Sequence, residues 1–87
     1  MEKPGQDLVD AGVRDLEVGV ESVEALLVSI GAPRLRRLGI HLPETFSDPE
    51  TRLYTLLAAE DSDSAHSRYN ALIRRLVSFE RAAECAS

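Results

Sequence analysis

Residues 7–30 read DLVDAGVRDLEVGVESVEALLVSI, and their spacing sets the expected fold class. Val9, Val13, Leu16, Val20, Val23, Leu27 and Ile30 recur at alternating intervals of four and three. That is an a/d heptad stripe, which puts all seven side chains along one side of one helix. Asp7 is placed to cap its start, and Gly31 followed by Pro33 to end it. At 1.5 Å per residue such a helix is roughly 36 Å long.

Two glycines interrupt the pattern. Gly12 and Gly19 both fall at g positions, seven residues apart. A glycine inside a helix costs about 1 kcal/mol relative to alanine, so the pair suggests a groove where a second helix backbone comes close. The plainer alternative is that the core tolerates them. The polar positions around the stripe are one-signed: Asp7, Asp10, Asp15, Glu17, Glu21 and Glu24 against Arg14.

Downstream, Pro33 and Gly39 frame a short helix near residues 33–38, with Arg34, Arg36 and Arg37 outward and Leu35 and Leu38 inward. Residues 40–46 are expected to be extended, because Pro43 restricts Leu42 to β-like geometry. Ser47 with Glu50, or Asp48 ahead of Pro49, starts a helix over about 48–60 whose apolar face is Leu53, Leu56 and Leu57. The polar run 60–64 is a loop. Ala65, Tyr69, Leu72, Leu76, Phe79 and Ala83 then mark a last helix over about 64–85, widened by Ile73 and Val77. No stretch alternates with the period of a strand. The expectation is an all-α small bundle of three main helices, about 7–30, 48–60 and 64–85, plus the short one. Residues 1–6 form a flexible tail and 7–87 a single domain.

Composition narrows the function classes. The chain of 87 residues is 44% hydrophobic and 29% charged, which suits one small globular domain rather than a disordered segment. Fifteen acids against ten bases leave a net charge of −5, which disfavours nucleic acid and anionic lipid as partners. The longest apolar runs, such as Ala25 to Val28, are far too short to span a bilayer. The first residues lack the features of a secretory signal, so a cytoplasmic location is the default. Cys85 stands alone, and the two histidines, His41 and His66, lie in different elements without a second ligand at helical spacing. Asp61-Ser62-Asp63 begins like a calcium loop but has His66 where glycine is needed and Leu72 where glutamate is needed. No metal, cofactor or catalytic constellation is expected, and the chain is read as no enzyme.

Other short patterns weigh little. Leu42-Pro43-Glu44-Thr45 resembles the start of a sortase signal but is followed by Phe46. Leu53-Tyr54-Thr55-Leu56-Leu57 fits the LxxLL pattern of groove-docking helices, which any amphipathic helix with adjacent leucines also produces. Leu35-Arg36-Arg37-Leu38-Gly39-Ile40, with Thr45-Phe46-Ser47 after it, resembles the turn of helix-turn-helix DNA-binding proteins over thirteen residues, with a gap one residue longer than usual. That resemblance implies a small DNA-binding regulator using residues 35–47, with a recognition helix bracketed by Pro43 and Pro49.

The leading expectation is a non-enzymatic regulatory or adaptor protein acting through protein–protein contacts. A short middle helix cannot cover two long stripes, and an apolar patch of that size is more than a small monomer exposes. A homodimer or a complex with another protein would cover it, through Val9, Val13, Leu16, Val20, Val23, Leu27, Ile30, Gly12 and Gly19. With the first and last helices parallel, the acidic e positions Asp10, Glu17 and Glu24 would face Arg68 and Arg75. Arg34, Arg36, Arg37, Arg74 and Arg75 would either dock on the acidic face of the first helix, within the bundle or across a dimer, or form one patch for an acidic partner or phosphate.

Overall fold

Ala25, Leu26, Leu27 and Val28 are four consecutive residues with no exposed surface, and since four in a row circle a helix, the helix that holds them is enclosed on all sides. The computed structural model describes residues 3–86, so Met1, Glu2 and Ser87, which the expected tail and domain limits include, lie outside the described residues. Four helices are present: α1 Gln6–Glu17, α2 Val23–Arg37, α3 Pro49–Glu60 and α4 Ala65–Ala86. Among the described residues there is no strand, and no helix is long and apolar enough to cross a membrane. The all-α bundle class holds. What organises it is α2, with the other three helices packed around it.

The division of residues 7–38 differs from the expected one. The single helix over 7–30 is two helices that fold back on each other. The break is a complete glycine cap: the Gly19 amide donates to the Leu16 carbonyl (3.1 Å) and the Val20 amide to that of Asp15 (2.8 Å). Gly19 sits at φ +74°, left-handed backbone that glycine adopts without a Cβ penalty. Ser22 then starts α2, its Oγ accepting from the Ala25 amide (3.0 Å) while its hydroxyl donates to the Asp15 carboxylate. One carboxylate and one hydroxyl thus tie the end of α1 to the start of α2.

Folding back is favoured because Ala25–Val28 cannot be buried along a single stripe. With α1 turned onto α2, Val9 and Leu16 reach the core beside Leu26 and Leu27. Gly12 makes the crossing close: a Cβ there would collide with the Glu24 carbonyl and Val28 Cγ2. The groove expected at Gly12 exists, and what occupies it is the next helix of the same chain. Gly19 has no such role, since nothing lies within 4 Å of where its Cβ would be.

The short helix near 33–38 is the last part of α2, which runs through Gly31 and Pro33. Gly31 packs beside Leu76 and Glu80 of α4. Pro33 removes one ladder bond, the one to the Ser29 carbonyl, and its ring stays exposed. Burial of Ala32 and Leu35 on the same turns offsets that loss. α2 ends on the same cap as α1, with Ile40 donating to Leu35 across Gly39.

Residues 40–46 are extended as expected, and Ile40, Leu42 and Phe46 pack on the core. The Phe46 amide donates to Ser29 Oγ (3.2 Å), whose own hydroxyl donates to the Ala25 carbonyl (2.8 Å). Buried Ser29 is therefore the peg that holds the linker to α2. Asp48, at φ +46°, is the cap residue of α3, with Pro49 in its first position. Leu53 and Leu57 are fully buried, so the LxxLL pattern is core packing. The helix-turn-helix expectation fails in geometry: residues 38–48 separate α2 from α3, where that motif has a turn of about three or four residues. Residues 35–47 contain the end of α2 and extended chain, with no second helix.

Candidate docking groove

α1 rests on α2 at Gly12 and on α4 near its own start. At that second contact a Cβ on Gly5 would lie 2.7 Å from the Arg75 carbonyl oxygen and 3.3 Å from Phe79 Cβ. Arg75 reinforces it with an ion pair to Asp7 at 3.0 Å. Residues 3–5, expected as part of a tail, form the turn that makes this junction. Beyond it α1 and the C-terminal half of α4 diverge, and a cleft of about 710 Å³ opens between them.

The cleft has an ordered lining. Val9 and Val13, one turn apart on α1, form one wall, and Phe79 and Ala83, one turn apart on α4, form the other. Leu38 and Ile40 close one end. The rim carries Lys3, Gln6, Asp10, Arg14 and His41. Gln6 donates to the Asp10 carboxylate at 3.1 Å, whereas Lys3 and Arg14 meet no carboxylate among the described residues. The volume lies within the range of ligand sites, and the arrangement is an open trough with an apolar floor.

The residues expected to form one interface along the first helix are divided among several places. Val9, Leu16 and Leu27 are buried, and Val13, Val23 and Ile30 are half-buried against the core. Gly12 is at the α1–α2 crossing. Val20, 48% exposed, and Gly19 lie in the corner between the two helices, with Val18 beside them at 72%. The stripe is therefore not a continuous seam; Val9 and Val13 are its members that line the cleft. Ala83, Leu38 and Ile40 were legible only as core candidates, because nothing in their spacing tells that α1 leaves them half-covered; Phe79, at the bottom of the cleft, is core as expected.

The arginines separate as well. Arg34 reaches Glu84 (2.9 Å) and Glu80 (3.5 Å) on one side of α4, while Arg75 pairs with Asp7 on the α1 side. Arg36 donates to the Pro43 carbonyl at 3.1 Å. Arg37 lines the α2–α4 side with Ile73 and Val77, and Arg74 lies with Pro4 and Gly5 on the other. These five do not form one patch. Of the expected facing of Asp10, Glu17 and Glu24 with Arg68 and Arg75, Glu24 does line a groove with both arginines, but their ion pairs are Arg68–Glu60 at 2.9 Å and Arg75–Asp7 at 3.0 Å.

Glu80 is the most buried carboxylate, 4% exposed. Burial pushes its carboxyl above the ordinary carboxylate range; Arg34 draws it back down and neighbouring Glu84 raises it. It belongs to the α2–α4 contact and not to the cleft. Among the described residues no group of three or more histidine, cysteine, aspartate or glutamate side chains converges as metal ligands would. His66 meets Asn70 alone at 3.2 Å, and Cys85 is an exposed free thiol. No protein-family model, curated protein or solved structure matches the chain.

Proposed function

We propose that this is a non-enzymatic binding domain of regulatory or adaptor type, which docks another protein in the cleft between α1 and α4. The observation that carries the proposal is the lining of that cleft, where half-buried Val13, Leu38, Ile40 and Ala83 surround buried Val9 and Phe79. Complementary apolar surface is what a partner would bury there. Site-specific photo-crosslinking tests it. A benzoylphenylalanine at Val13 should capture a discrete partner in the native cell, while one at exposed Ala59 of α3 should not. Equal labelling from both positions would refute the proposal.

Self-association is supported by a different surface from the one the stripe suggested. Half-buried Ile30, Ile73 and Val77 adjoin exposed Pro33 along the α2–α4 side. A homodimer there would run at twice the chain mass in light scattering and melt at a temperature that rises with concentration. A monomer at millimolar concentration would rule it out.

A further inference from the structure

We infer that the corner at residues 18–22 is a hinge, and that α1 exchanges between two copies of this chain to give a dimer in which residues 6–37 form one continuous helix. Two registers coincide at that corner. In the sequence, the apolar spacing of four and three from Val9 to Ile30 runs straight through it. In the fold, α1 and α2 pack antiparallel about Gly19: Asp15 meets Ser22, and Gly12 faces Glu24 and Val28. A second copy with its corner straightened offers the same α2 surface to α1. What seats there is α1 itself, so each of these contacts is remade across the two copies. Straightening also carries the antiparallel register through the corner. Val20, 48% exposed in the single copy, then lies beside the partner's Leu16. Gly19, which now has nothing within 4 Å of its absent Cβ, falls at the two-fold axis, where the lack of a side chain lets the two helices close.

The balance between the two forms is close. Residues 18–22 contain no proline, and the Val18 amide already donates to the Arg14 carbonyl (3.3 Å) as in a helix that continues. Straightening exchanges the cap bonds of Gly19 and Val20 for ladder bonds. The Gly5 contact and the exposed Asp7–Arg75 pair, which tie α1 to α4, are remade on the partner. Against the straight form stand Gly19 and a row of acids. Glu17 and Glu21 are four residues apart and Glu21 and Glu24 three, so in a continuous helix they repel one another. In the corner Glu21 is drawn instead to Arg52 at 3.2 Å. These terms keep a single copy closed, and concentration or the loss of Gly19 tips the balance. In the exchanged dimer each α1–α4 cleft is built from two chains, Val9 and Val13 from one and Phe79 and Ala83 from the other.

Gly19→Ala in the whole chain tests this. It removes a residue that favours the left-handed corner and adds one that favours helix, once in each copy, so the dimer dissociation constant should fall about a thousandfold. Light scattering should report twice the chain mass, and the Cα chemical shifts of residues 18–22 should become helical. In a mixture of isotope-labelled and unlabelled copies, the NOE between Gly12 Hα and the Val28 methyl should cross from one copy to the other. Adding Glu21→Pro, outside both helices in the corner but in the middle of a continuous one, should return the single copy. A monomer at millimolar concentration, a dimer whose Gly12–Val28 NOE stays within one chain, or pairing undiminished by Glu21→Pro would each overturn the inference. The second of these is what side-by-side pairing through Ile30, Ile73 and Val77 gives, since it leaves α1 on its own chain. If Gly19→Ala precipitates, the wild type refolded from urea at millimolar concentration is read by the same NOE and the same outcomes, because both copies are open while they fold.

Discussion

Gly12 and Gly19 are seven residues apart in what reads as one helix, and replacing each shows whether the chain turns between them. In a continuous helix both changes to alanine would stabilise the protein by about 1 kcal/mol, since each removes the backbone entropy cost of glycine. The folded-back structure reverses both signs, for different reasons. At Gly12 a Cβ meets the Glu24 carbonyl, which is backbone and cannot swing aside, and Val28 Cγ2. Overpacking of this kind costs about 1–3 kcal/mol, and an unyielding backbone neighbour puts it at the upper end. After the propensity gain, Gly12→Ala should destabilise by about 1–2 kcal/mol. At Gly19 there is open space, so the cost is conformational only. Holding alanine at φ +74° costs about 1–2 kcal/mol.

Asparagine sharpens the test, because it tolerates left-handed backbone better than alanine but is a poorer helix former. At position 19 the corner requires the stability order Gly, then Asn, then Ala. A continuous helix requires Ala, then Asn, then Gly. Urea unfolding at 25 °C measures the order directly, and for a domain of this size each kcal/mol also moves Tm by about 4–8 °C. Alanine as the most stable residue at position 19 would refute the α1–α2 corner.

Three further outcomes follow from the packing. Val20→Asp should change stability by no more than about 0.5 kcal/mol, since Val20 is 48% exposed, whereas Leu27→Ala, wholly buried, should cost about 2–5 kcal/mol in the same urea assay. Ser29→Ala should cost about 1–3 kcal/mol by leaving the part-buried Phe46 amide without its acceptor, and hydrogen exchange of that amide should accelerate. Glu80 gives a pH signature: its carboxyl is raised from the ordinary 4.5, so the folded state keeps the proton over a range where the unfolded chain has lost it. Its contribution is therefore complete below the ordinary value and is lost as the pH rises through the raised one. The stability of the wild type relative to Glu80→Gln should fall across that window and be level on either side; a difference independent of pH would refute the assignment.

Much of this was legible from residue types alone. The helices over 49–60 and 65–86, the extended 40–46 segment and the Pro49 start follow from local signals that the packing does not override. The corner at 18–22 was not, although its signature is present. Val18-Gly19-Val20 repeats the order of Leu38-Gly39-Ile40, the same cap at the end of α2, and Ser22 is a cap residue ahead of an apolar run. The heptad concealed it, because a corner over 18–22 happens to preserve the spacing of four and three. Val20 and Val23 keep their place in the count while leaving the stripe in space. The reverse error occurred at Gly31 and Pro33, where stop signals lie inside a helix. There tertiary packing decides: α2 is buried against three neighbours, and Leu35 brings enough burial to carry the helix past its proline.

The corner also explains why the candidate site lies where it does. A straight stripe would have left its whole apolar length for a partner. Turning at Gly19 uses Val9, Leu16 and Leu27 for the core and reduces the open apolar surface on that side to what α1 fails to cover. Because α1 is held at two points, Gly5 on α4 and Gly12 on α2, it cannot lie flat along α4, and the space between the two helices becomes the cleft. The site is thus a consequence of the crossing and not of any one residue in it. Changes at Gly12 or Gly19 should remove partner capture from Val13 only in step with unfolding. A Gly12→Ala protein that stays folded yet is crosslinked from Val13 to the same partner in the same yield would show that the crossing does not shape the cleft.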